Sequence, residues 1–99
     1  GSSPAYFFLF MESMQQEAEK LGYTPDQARQ LVLNAAEGAV ALSKSQGDTP
    51  FSTLREQVTS KGGTTAMALA QFYDSGLPQM VAKAMQRAIT RAEEMEKLF

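Results

Sequence analysis

The sequence predicts an all-α domain, and three observations lead there. Its apolar residues are mainly Ala, Leu and Met, while Val and Ile together supply only five, a mixture that favours helices and starves strands. Those apolar residues recur at spacings of three and four, the period of a helix face. Pro and Gly punctuate the chain into five such segments. Each of the four Pro residues follows a Ser, Thr or Leu at the head of a segment. Pro is tolerated at the first helical position because its missing N–H would have been unpaired there.

Ser3-Pro4 opens the first predicted helix, which runs to about Leu21 and stops at Gly22. Phe7, Met11, Met14, Ala18 and Leu21 form its stripe. Thr24-Pro25-Asp26-Gln27 reads as a capping box, with Gln27 placed to reach back to the Thr24 N–H. The second helix carries Ala28, Leu31, Val32, Ala35, Ala39 and Leu42 on one face and ends at Gly47. Thr49-Pro50 starts a short third helix holding Leu54 and Val58. Thr59-Ser60-Lys61-Gly62-Gly63 cannot easily be helical. A fourth helix follows from Thr64 or Thr65 to Ser75, with Gly76 as its stop. Leu77-Pro78 opens a long fifth helix with Val81, Ala84, Ala88, Ala92, Met95 and Phe99 on one side.

Three of these helices are about 20 residues long, hence about 30 Å each, the diameter of a small domain. Residues 6–11 are apolar all round their helix, and such a segment must be buried on every side. Ala35, Ala36, Gly38, Ala39 and Ala41 would let another helix approach the second one closely. The expected architecture is therefore a five-helix bundle domain in an intertwined homodimer. The alternative is a monomeric bundle with its first helix at the centre.

The inventory excludes much chemistry. The chain has no Cys, His or Trp, so it offers no thiolate or imidazole metal site and no Ser–His–Asp triad. Eleven acids against nine bases, with no basic block, argue against nucleic acid. The apolar run from Ala5 to Met11 is far short of the ~20 residues that cross a bilayer. No secretory signal is expected either.

One segment reads as a site. Adjacent glycines between helices, Gly62 and Gly63, permit left-handed backbone whose successive N–H groups converge into an anion-binding nest. The start of the next helix adds the positive end of its macrodipole. Hydroxyls of Thr59, Ser60, Thr64 and Thr65 supply further donors, and Lys61 could add attraction. These features suit a small carboxylate or phosphate. The plainer reading is a turn between helices in which Thr64 is an N-cap. No nucleophile–base pair and no paired carboxylates accompany the loop, so this domain alone should do no chemistry.

Residues 54–69, Leu-Arg-Glu-Gln-Val-Thr-Ser-Lys-Gly-Gly-Thr-Thr-Ala-Met-Ala-Leu, resemble the signature segment of pyrroline-5-carboxylate reductases. Gly1-Ser2-Ser3-Pro4-Ala5-Tyr6 is similar to the Gly-Ser-Gly-Pro-Ala-Tyr that opens that family's C-terminal domain, with Ser3 in place of the third glycine. Ala28-Arg29-Gln30-Leu31-Val32, Arg91 and Glu94 also look familial, so the resemblance covers essentially all 99 residues.

The resemblance implies an all-α C-terminal dimerisation and substrate-binding domain over residues 1–99, of the type shared with 6-phosphogluconate dehydrogenase. It implies a cytoplasmic oxidoreductase that reduces 1-pyrroline-5-carboxylate to L-proline, the last step of proline biosynthesis. NADPH or NADH would be bound by a preceding Rossmann domain, of which this chain has no Gly-x-Gly-x-x-Gly trace, and none by this chain alone. In the family, C-terminal domains of two subunits intertwine, and dimers often assemble further into decamers, pentamers of dimers. Carried over by position, Ser60 and Thr65 would give hydroxyls, and Gly63, Thr64 and Thr65 backbone N–H groups, to the substrate carboxylate. Thr65 would also reach the imine nitrogen, as the catalytic position. The competing reading is a stand-alone helical homo-oligomerisation module. Such a module has no reason to keep Gly62-Gly63-Thr64-Thr65 with Ser60 five positions before Thr65.

Overall fold

Five α-helices follow one another, with no strand among the described residues: α1 (Ser3–Lys20), α2 (Pro25–Ser45), α3 (Phe51–Gln57), α4 (Thr64–Asp74) and α5 (Leu77–Leu98). The computed structural model describes residues 3–98. Gly1 and Ser2 of the opening motif, and Phe99 at the end of the α5 stripe, lie outside them.

The punctuation works largely as the sequence suggests. α1 closes in a Schellman motif: the Tyr23 N–H donates to the Ala18 carbonyl at 3.2 Å and the Gly22 N–H to that of Glu19 at 3.1 Å, with Gly22 at positive φ. The capping box at α2 is complete. The Gln27 N–H donates to Thr24 Oγ1 at 3.2 Å and the Thr24 N–H to Gln27 Oε1 at 3.0 Å. Pro25 is the first residue of α2. The other three prolines sit elsewhere. Pro4 and Pro78 are second in α1 and α5, where the N–H is also without an intrahelical partner. Pro50 precedes α3 and gives its carbonyl to the Leu54 N–H.

Val58 falls outside α3 and is exposed, against the expectation that this helix holds it. The cause is the next residue. The Thr59 hydroxyl donates to the Arg55 carbonyl and the Thr59 N–H to that of Glu56, ending the helix one residue early, at Gln57.

The chain forms two compact units, Gly1–Leu54 and Arg55–Phe99. In the first, α1 and α2 pack as a helical hairpin. Ala28 and Val32 of α2 are buried, and Met11, Gln15 and Ala18 of α1 are half-buried. In the second, α4 packs on α5 across the short Ser75-Gly76 connection.

Burial departs from the predicted stripes. Among the described residues, Ala28, Val32 and Leu54 are the buried hydrophobic ones. Phe7, Met14, Leu21 and Leu31 are exposed instead, and so are residues 78–98 of α5 throughout. In residues 6–11, expected to be enclosed on every side, Phe7, Phe8 and Leu9 stand 65–69% exposed and Met11 is half-buried. A Cβ added at Gly38 would meet nothing within 4 Å, so the small-residue face of α2 is open in the single chain. Within each unit, helix faces patterned as core are thus largely exposed. No described helix is long and apolar enough to cross a membrane.

Candidate functional site

The loop between α3 and α4 lies within the second unit and is built from two successive hydrogen-bonded closures. The first is the Thr59 closure of α3, which takes the Thr59 hydroxyl out of the set of free donors. The second is a turn over Ser60-Lys61-Gly62-Gly63, in which the Gly63 N–H donates to the Ser60 carbonyl at 3.0 Å. Gly62 has φ +74°, and no described non-glycine residue has positive φ. A third residue at positive φ after a second at negative φ, closed by this hydrogen bond, is the φ pattern of a type II turn, where glycine is favoured.

Gly63 is not left-handed. Its φ is −86° and ψ −176°, so the positive-φ requirement expected of the glycine pair rests on Gly62 alone. At Gly63 the matter is space: a Cβ there would stand 3.3 Å from both the Cβ and the carbonyl oxygen of Ser60, which would have to give by a few tenths of an ångström.

Gly63, not Thr64, is the N-cap of α4, and it makes no side-chain cap bond. The first backbone bond of the helix runs from the Met67 N–H to the Gly63 carbonyl at 3.2 Å. The N–H groups of Thr64, Thr65 and Ala66 precede that bond and have no intrahelical acceptor. They emerge at the positive end of the α4 dipole. Ser60, Lys61, Thr64 and Thr65 are all exposed around them. The structure thus joins Ser60 and Gly63 directly and sets Thr64 and Thr65 in the first turn of α4. The Gly63 N–H, read from sequence as a donor to a ligand, is engaged within the turn. What remains free is a short run of backbone N–H groups at a helix N-terminus, with the exposed Ser60, Lys61, Thr64 and Thr65 next to them in the chain, chemistry suited to a small anion.

Arg55 was not singled out by any spacing in the sequence. Its guanidinium lies over the ring of Tyr73, 5.8 Å from the centroid. The two residues are 18 positions apart, and nothing local to either marks the pairing.

The family model for pyrroline-5-carboxylate reductase dimerisation matches residues 1–95. The chain belongs to this family. Pyrroline-5-carboxylate reductase of Vibrio alginolyticus is 61% identical over the whole chain. The chain spans about a third of the length of that relative, 36% of it. Among solved structures, the pyrroline-5-carboxylate reductase of Coxiella burnetii superposes with a TM-score of 0.87 at 38% identity, covering 95% of this chain and 34% of that one. The Plasmodium falciparum pyrroline carboxylate reductase, solved with NADP bound, gives 0.83 at 32% identity, covering 89% and 33%. The all-α, five-helix architecture expected from composition and periodicity is therefore that of the dimerisation part of these reductases.

Proposed function

We propose that this chain is the C-terminal dimerisation and substrate-carboxylate-binding domain of an enzyme that reduces 1-pyrroline-5-carboxylate to L-proline in the cytoplasm. The observation that carries the reading is the type II turn feeding α4. It leaves the N–H groups of Thr64 and Thr65 without an intrahelical acceptor at a helix N-terminus, with the hydroxyl-bearing Ser60 and Thr65 exposed on the turn and the first turn of the helix. A carboxylate bound there accepts hydrogen bonds from these donors at the positive end of the helix dipole, and Lys61 on the same turn adds attraction. Thr65 then stands nearest the reacting C=N group and offers its hydroxyl to the nitrogen.

NADPH or NADH supplies the hydride. The described residues contain no strand and so form no βαβ cradle for a dinucleotide. Cofactor binding falls to a Rossmann domain preceding residue 1 in the same polypeptide. The role of the residues present here is to hold the substrate in a fixed orientation, which by itself is worth many-fold in rate. Two copies associate through the apolar faces of α1, α2 and α5, and the dimers assemble into a decamer.

The test is a chimera in which this chain replaces the matching third of the V. alginolyticus reductase. Pyrroline-5-carboxylate-dependent oxidation of NADPH or NADH is expected, and Thr65→Ala should lower it. A folded, dimeric chimera with no turnover would overturn the reading. The chain alone is expected to bind no NADPH in calorimetry.

A further inference from the structure

From the contact between Arg55 and Tyr73 we infer that this pair is a clasp that fixes the carboxylate loop against α4, so that both are positioning residues for substrate binding. The inference rests on the loop reading given above. Thr65, Leu69 and Tyr73 are spaced four apart and form one row along α4. Thr65, at one end of the row, belongs to the candidate site. Tyr73, at the other, receives the Arg55 guanidinium. Arg55 also accepts the Thr59 hydroxyl on its carbonyl. One residue thus ties the closure of α3 to the far end of the row that carries Thr65.

The clasp answers a mechanical need. Tyr73 and Thr65 are eight residues apart, about 12 Å along the helix axis. The chain returns from α3 to the start of α4 through residues 58–63, and six extended residues could span about 20 Å. The loop is instead drawn in by its two closures, which tie Thr59 to α3 and Ser60 to Gly63, and what they leave open is how the end of α3, from Arg55 on, stands to α4. Holding Arg55 on Tyr73 fixes that relation and with it the place of Ser60 beside the first turn of α4. Both side chains are exposed, so the pair adds little to stability and acts through geometry.

The experiment measures steady-state kinetics of the chimera bearing Tyr73→Leu, Arg55→Met, both together, and Tyr73→Phe, with Thr65→Ala as reference. Each single clasp variant is expected to raise KM for pyrroline-5-carboxylate about two- to fivefold, with kcat and the KM for cofactor unchanged. The double variant should be no worse than either single one, because the two residues share one interaction. Tyr73→Phe keeps the ring and should restore the parent KM. Should Tyr73→Leu fold poorly, Arg55→Met against Tyr73→Phe still decides the matter. Unchanged KM in the clasp variants, effects that simply add, or loss of stability without a KM change would each overturn the clasp while Thr65→Ala stays impaired. If Thr65→Ala also has parental kinetics, the loop reading itself fails and the clasp goes with it.

Discussion

The Gly63 N–H donates to the Ser60 carbonyl at 3.0 Å, and a Cβ on Gly63 would stand 3.3 Å from that same oxygen. The two glycines of the turn are therefore not equivalent. Gly62→Ala places a side chain at φ +74°, at a cost of about 1–2 kcal/mol. It should lower the denaturant midpoint measurably. Gly63→Ala asks Ser60 to give by a few tenths of an ångström, and Gly63→Val adds branched methyls to that contact. The expected order in substrate KM is Gly63→Val above Gly63→Ala above parent, from steady-state kinetics on the chimera.

Thr65→Ala removes a hydroxyl at the start of α4. A lost polar partner of this kind costs about 1–3 kcal/mol of transition-state binding. Thr65→Ser should retain most activity. Neither change should alter the sedimentation coefficient, since Thr65 is no part of the apolar faces. Parental kcat/KM in Thr65→Ala on a folded dimer would reduce the loop to a plain connection between helices.

Phe8 stands 68% exposed in the single chain, on a segment with no polar side to turn toward water. Phe8→Asp would bury an unpaired charge in a paired assembly, a cost of several kcal/mol. Sedimentation should show the parent as a dimer or larger at micromolar concentration and the variant as dispersed or unfolded. A well-folded monomeric parent would count against the pairing.

Thr24 carries both halves of the α2 capping box. Thr24→Ala should cost about 1 kcal/mol, and Thr24→Ser much less. Urea unfolding of the two variants beside the parent checks the difference.

The helices were legible because their ends are written in chemistry that acts locally. Thr24 with Gln27 needs no tertiary partner to specify a start, and Gly22 needs none to specify a stop. Where an end depends on competition between backbone acceptors, as when the Thr59 hydroxyl takes the Arg55 carbonyl, spacing alone put Val58 on the wrong side. The site was legible as a segment but not as a geometry. Two adjacent glycines look alike in sequence, yet one serves φ and the other space, and the cap of α4 is the residue with no side chain. Burial was least legible. Periodicity marks which faces avoid water but does not say which chain covers them, so Phe7, Leu31 and the described residues of the α5 stripe read as core while standing exposed in one copy. The Arg55–Tyr73 contact joins positions 18 apart and had no local signal at all.

A chain whose buried residues, among those described, amount to Ala28, Val32 and Leu54 has little to keep it ordered when it is alone. Ordering and pairing then become one mass-action event. The melting temperature should climb as subunits are concentrated, each tenfold rise adding about 1.4 kcal/mol to the paired state. In a cell, the abundance of the polypeptide would itself set how much of it survives. Newly made subunits at low copy number would meet proteases before they meet each other, and a modest increase in synthesis would yield a disproportionate increase in lasting protein.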